Sequence, residues 1–188
     1  MTSSEQNGTR AINQAIRESF GRAVYTHKTH EKAREISSFH VTVVKWLNIV
    51  LTTATSGSLL STIITNERAL LYTSAAFAAA TLAFGIFQLS FDPGADVERH
   101  REAAKNLWYI REKYIHLLTD MTDGLGRDEM VERRDALMEE AGAIYRQAPD
   151  TSNRAYQKAR RALKYAEDMT FNDAEIDAFL PKALRVSK

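Results

Sequence analysis

Trp46–Asn66 reads WLNIVLTTATSGSLLSTIITN and Ala69–Phe91 reads ALLYTSAAFAAATLAFGIFQLSF, and neither contains Asp, Glu, Lys or Arg. The first has 21 residues, about 31 Å of helix, against a hydrocarbon core of about 30 Å. Ten of its residues are apolar and eight are serine or threonine, whereas 17 of the 23 in the second are apolar. A soluble helix of such length normally shows a charged face. Both therefore read as membrane spans rather than as a buried hairpin of a soluble bundle. Only Glu67-Arg68 separates them, and so short a connection forces an antiparallel hairpin. Lys45-Trp46 suits an interfacial anchor, with lysine reaching the headgroups and indole sitting at the boundary.

Outside the hairpin the chain is dense with charge. Lys and Arg total 25 against 24 Asp and Glu, a net charge of +1 that predicts no strong polyanion partner. The mean hydropathy of −0.35 averages over this segregation and hides the spans. Absence of cysteine excludes disulfides, thiolate nucleophiles and cysteine metal sites. The first 38 residues are polar and amphipathic, unlike the apolar core of a cleaved signal, and Thr2 excludes N-myristoylation.

The expected organisation is all-α: an amphipathic N-terminal helix over residues 1–38, a transmembrane hairpin over 39–92 and a helical region over 93–188. Ile12, Ile16, Phe20, Val24 and His27 recur at three and four, the period of one buried face, and the pattern can run on through Ile36 and Phe39. Asp92-Pro93-Gly94 breaks the second span. Val97, Ala104, Leu107, Tyr114, Leu118 and Met121 mark the next helix, and Asp123–Gly126 turns the chain. A helix over Asp128–Ala148 and another over Ser152–Asp168 follow, the second capped by Asp150 or Thr151. The last opens at Asn172 with a capping box to Glu175 and a staple between Phe171 and Ile176. Lys32, Arg34 and Lys45 precede the first span, and Arg99, Arg101 and Lys105 follow the second. The connector has Arg68 alone. The positive-inside rule then places both termini in the cytoplasm.

Polar residues in the spans form stripes. Asn48, Thr52, Thr55, Leu59, Thr62 and Asn66 recur at four and three, and Ser74, Ala78, Thr81, Gly85 and Gln88 do likewise. Two readings stand. Small and hydroxyl residues pack the hairpin together, or the first stripe lines a wet conduit in an oligomer. Neither stripe carries a charge, which argues against a proton relay.

Arg154, Lys158, Arg160, Arg161 and Lys164 form a basic run between Tyr156 and Tyr165. Arg154, Lys158 and Arg161 are candidate contacts for phosphate or a lipid headgroup. The competing reading is a solvated face balanced by nearby acids such as Glu167 and Asp168, and direct nucleic-acid binding is not expected. His27, His30 and Glu31 lack a third histidine or cysteine nearby and match no zinc signature, so neither a metal nor a cofactor is expected. No nucleophile elbow, phosphate loop, dinucleotide fingerprint or catalytic carboxylate pair is present, and no enzymatic role is expected.

An amphipathic entry helix, a tight two-helix hairpin and a helical tail together resemble the SLATT family of two-transmembrane effectors from prokaryotic conflict systems. The ending Ala159-Arg160-Arg161-Ala162-Leu163-Lys164, followed by Met169–Pro181, is similar to the tail of one branch of that family. The resemblance covers nearly the whole chain and brings no catalytic positions. It implies an oligomeric effector of the bacterial inner membrane that forms a pore or disrupts the bilayer in antiphage defence. Its trigger would come from a separate sensor, or from a nucleotide-signal or nucleic-acid-polymerase protein encoded nearby. A non-conducting anchor that recruits a cytoplasmic partner is the alternative.

Overall fold

The structure, a computed structural model, describes residues 3–181 and Arg185, with side chains from Asn7 onward. Six helices and no strand occur among the described residues: α1 Ser3–Thr65, α2 Arg68–Ser90, α3 Pro93–Thr122, α4 Arg127–Gln147, α5 Asn153–Tyr165 and α6 Asp173–Phe179. The expected all-α fold and hairpin are both there.

The entry to the hairpin is continuous, as the run through Ile36 and Phe39 allows. Between residues 38 and 39 the helix is unbroken, and α1 runs 63 residues from the N-terminal body to the hairpin tip, about 95 Å at 1.5 Å per residue. No proline or adjoining turn residue interrupts Ile36–Val44, so nothing there terminates the backbone ladder. A single rod thus joins the N-terminal body to the hairpin.

Asn66 turns the hairpin. Its φ of 55° lies in the left-handed region, which asparagine tolerates better than most residues. α2 then runs antiparallel to α1. At its far end Phe91 and Asp92 adopt non-helical angles. The Asp92 carboxylate accepts hydrogen bonds from the backbone N–H groups of Gly94 at 2.9 Å and Ala95 at 3.1 Å, restarting the chain as α3 with Pro93 in its first turn.

α3 returns along the first half of α1, and α4 folds back against both. Their core joins Ile12, Ile16 and Ala23 to Ile110, Tyr114 and Leu117, with Met130, Leu137 and Ala141 from α4. α5 lies across α1 through Ala155, Ala159 and Ala162, all buried at helical spacing. Small side chains allow that close approach. The Asn172–Glu175 capping box opens α6 as the sequence predicts. Phe171 and Ile176 are both exposed.

Burial reverses in the hairpin. In the most apolar windows of the two long helical segments, 0% and 6% of residues are buried, so these are not core helices of a soluble bundle. Ile63, Ile64, Leu82 and Leu89 point outward, as side chains bathed in lipid would.

Candidate functional site

The polar residues of the spans meet one another. Asn48 Nδ2 donates to Gln88 Oε1 at 2.9 Å, and Gln88 Nε2 donates back to Asn48 Oδ1 at 3.1 Å. The Thr55 and Thr81 hydroxyls lie 3.1 Å apart, and those of Thr62 and Ser74 lie 3.3 Å apart. These three rungs climb α1 in steps of seven residues and descend α2 in the same steps. Seven-residue spacing is the repeat of a left-handed, slightly crossed helix pair. The rungs are about 10 Å apart.

Each hydroxyl also reaches its own helix. Thr55 Oγ1 lies 2.8 Å from the Leu51 carbonyl and Thr81 Oγ1 lies 2.8 Å from that of Phe77. Two protons serve three contacts, so one hydroxyl bonds across while the other bonds back. The amide rung is different, because its two donors and two acceptors satisfy one another across the gap. In lipid it is the least replaceable of the three.

Not every predicted stripe residue belongs to this seam. Thr52 is exposed and makes no side-chain hydrogen bond among the described residues. Asn66 is also exposed and ends the helix, with its backbone N–H bonded to Thr62 O at 2.9 Å. Leu59 lies on the stripe but stays exposed. Register, set by the two-residue turn, decides which of the periodic positions face α2.

In the helical body, α1 and α3 are clasped by histidines. His27 Nδ1 contacts the Ala104 carbonyl at 2.8 Å, which requires that nitrogen to be protonated, and His30 Nδ1 meets His100 Nδ1 at 3.0 Å. One of those two nitrogens must donate and the other accept, so the accepting ring is neutral, with its proton on Nε2. Burial, with the nearby His100 and His27, pushes His30 down to about 4. Burial also lowers His100, against the pull of Asp96. Lys28, beside them, donates to Glu31 at 2.8 Å and bridges to Asp168 at 3.0 Å, fastening the loop after α5 to α1. His100 is the third histidine that sequence proximity could not reveal, being 70 residues from His30. No group of three potential metal ligands gathers among the described residues.

The model of the SMODS and SLOG-associating 2TM effector domain family 4 matches residues 12–175. The chain belongs to that SLATT family. Membership and the outward-facing apolar hairpin agree on a membrane effector of conflict systems carrying two transmembrane helices. Comparisons with curated proteins and with solved structures find no match.

The basic run of this SLATT chain is on view. Arg154, Lys158, Arg160, Arg161 and Lys164 are all exposed, and none has an ion-pair partner among the described residues. Their helix docks where Tyr156 approaches Tyr25, with ring centroids 6.3 Å apart. Tyr25 lies 21 residues before Trp46, about 31 Å along α1. Headgroups extend only about 5–8 Å beyond the hydrocarbon. At that level Arg154, Lys158 and Arg161 lie beyond the headgroup layer, on a solvated face of α5.

Proposed function

We propose that this SLATT protein assembles as a closed homo-oligomer in the bacterial inner membrane, both termini cytoplasmic. On a signal from a separate partner it opens a path through the bilayer, and the cell dies or stops growing. The observation that carries this reading is what the seam leaves over. Thr52, Thr53 and Ser56 are exposed on α1 and make no side-chain hydrogen bond among the described residues. Unsatisfied hydroxyls facing lipid are unfavourable, and contact with another copy or with water relieves them. Two helices cannot enclose a water path, so conduction needs several copies. In this reading Asn48, Thr55, Thr62, Ser74, Thr81 and Gln88 hold each hairpin together, and the Thr52–Ser56 face meets neighbours or water.

The test measures assembly and leakage together. Thr53→Leu should abolish ion leakage in overproducing cells while membrane insertion persists. Thr55→Leu should instead crowd the seam and lower the amount of assembled protein, at ~1–3 kcal/mol. Unchanged leakage from Thr53→Leu would reject that face. Wild-type assembly without any loss of ion gradients would establish a non-conducting scaffold instead.

A further inference from the structure

Beside the histidine clasp, α1 and α3 diverge into an open groove of about 740 Å³. Its walls follow helical spacing: His27, Glu31 and Arg34 line it from α1, and Arg101, Lys105 and Trp108 from α3, with Tyr109 at the rim. The size falls within the range of small-molecule sites.

Its charges are unbalanced. Arg101 is engaged by Glu98 at 2.7 Å and Glu31 by Lys28 at 2.8 Å. Arg34 and Lys105 have no ion-pair partner among the described residues. Two free cations therefore face one cavity, a setting that selects anions. Aromatic surface lies at the end away from Arg34. Trp108 and Tyr109 stand edge to face with centroids 5.1 Å apart, and both rings are partly exposed. Lys105 and Trp108 are three residues apart on one face of α3, about 4.5 Å along the helix and within reach of a single nucleoside phosphate. A ring stacked on the indole can be joined through a sugar to phosphates at the cations, since base–aromatic stacking and phosphate pairing are independent contacts.

We propose that this groove binds a phosphate-bearing ligand with a flat aromatic ring, the nucleotide class, taken from the soluble phase. Position separates it from a lipid site. Arg34, the groove residue nearest the hairpin on α1, lies 12 residues before Trp46, about 18 Å along the rod. A headgroup layer of about 5–8 Å does not reach it. The site does not depend on whether the hairpins conduct.

The full chain in zwitterionic nanodiscs would be titrated calorimetrically with ATP and GTP, and separately with pyrophosphate and adenosine. At least one nucleotide should bind saturably, at least tenfold tighter than pyrophosphate or adenosine. Arg34→Gln and Lys105→Gln should each weaken it about tenfold, and Trp108→Leu should remove the preference over pyrophosphate. Arg17→Gln, exposed on α1 ten residues before His27 and outside the groove, should change affinity less than twofold. No saturable binding of ATP or GTP overturns the proposal, as does equal binding by Arg34→Gln and Lys105→Gln protein that keeps its wild-type helicity and melting temperature. Nanodiscs made with anionic lipid supply the last arm, and competition from that lipid strong enough to abolish nucleotide binding would assign the groove to headgroups and overturn the soluble-ligand assignment.

Discussion

Asn48 and Gln88 show what one pair of side chains contributes inside a membrane. Their amides satisfy each other by two bonds, so removal of either leaves a polar group facing an apolar one. Asn48→Leu or Gln88→Leu should each destabilise the hairpin by ~1–2 kcal/mol, the upper range for interhelical bonds in lipid. The double leucine variant should recover much of that loss, because no orphaned amide remains. A double-mutant cycle on thermal unfolding in detergent measures this, and strictly additive losses would refute the reciprocal pair. The histidine clasp carries a second residue-scale prediction. His30 is depressed to about 4 from an ordinary value near 6.5, so the fold favours its neutral form. Stability from that term is complete above about 6.5 and is lost as pH falls toward about 4. The melting temperature should fall over this window, and His30→Gln, which cannot titrate, should flatten the fall. Identical slopes for the two proteins would refute the assignment.

Among the elements, α5 is the one attached mainly through small side chains. Ala155, Ala159 and Ala162 form its buried stripe against α1, and Lys28 secures the loop beyond it through Asp168. Ala159 is fully buried. Ala159→Leu should cost ~1–3 kcal/mol by overpacking and release α5, raising amide exchange across residues 153–165 while the hairpin stays protected. Unchanged exchange there would mean that α5 is held by something else. The alanine spacing was legible in the sequence, yet the bases between the alanines dominate any inspection of that stretch. Periodicity placed the buried face of α3: Ala104, Leu107 and Tyr114 are buried as expected, while Val97, Leu118 and Met121 are half-buried. The α1–α3 groove was not apparent, because its walls come from segments about 70 residues apart.

At the scale of the molecule, α1 couples the membrane to the body as one rod, and α3 leaves the same end of the hairpin to pack against it. Both flanking regions must then share a side of the bilayer. Reporters fused at either terminus should read cytoplasmic, and one inserted at Glu67 should read external. A split result for the termini would break the hairpin assignment. The sequence alone determined the two spans and the all-α class, since these depend on length, charge exclusion and periodicity, which are local properties, and its resemblance over most of the chain carried the family. It also identified the polar stripes, although not their use. Tertiary structure alone decided that Asn48, Thr55 and Thr62 bond to Gln88, Thr81 and Ser74 while Thr52 and Asn66 do not, and that His30 meets His100. The physical reason is register. A helical stripe says which residues share a face, but the turn at Asn66 and the restart at Pro93 set which face, and which level, each partner helix presents.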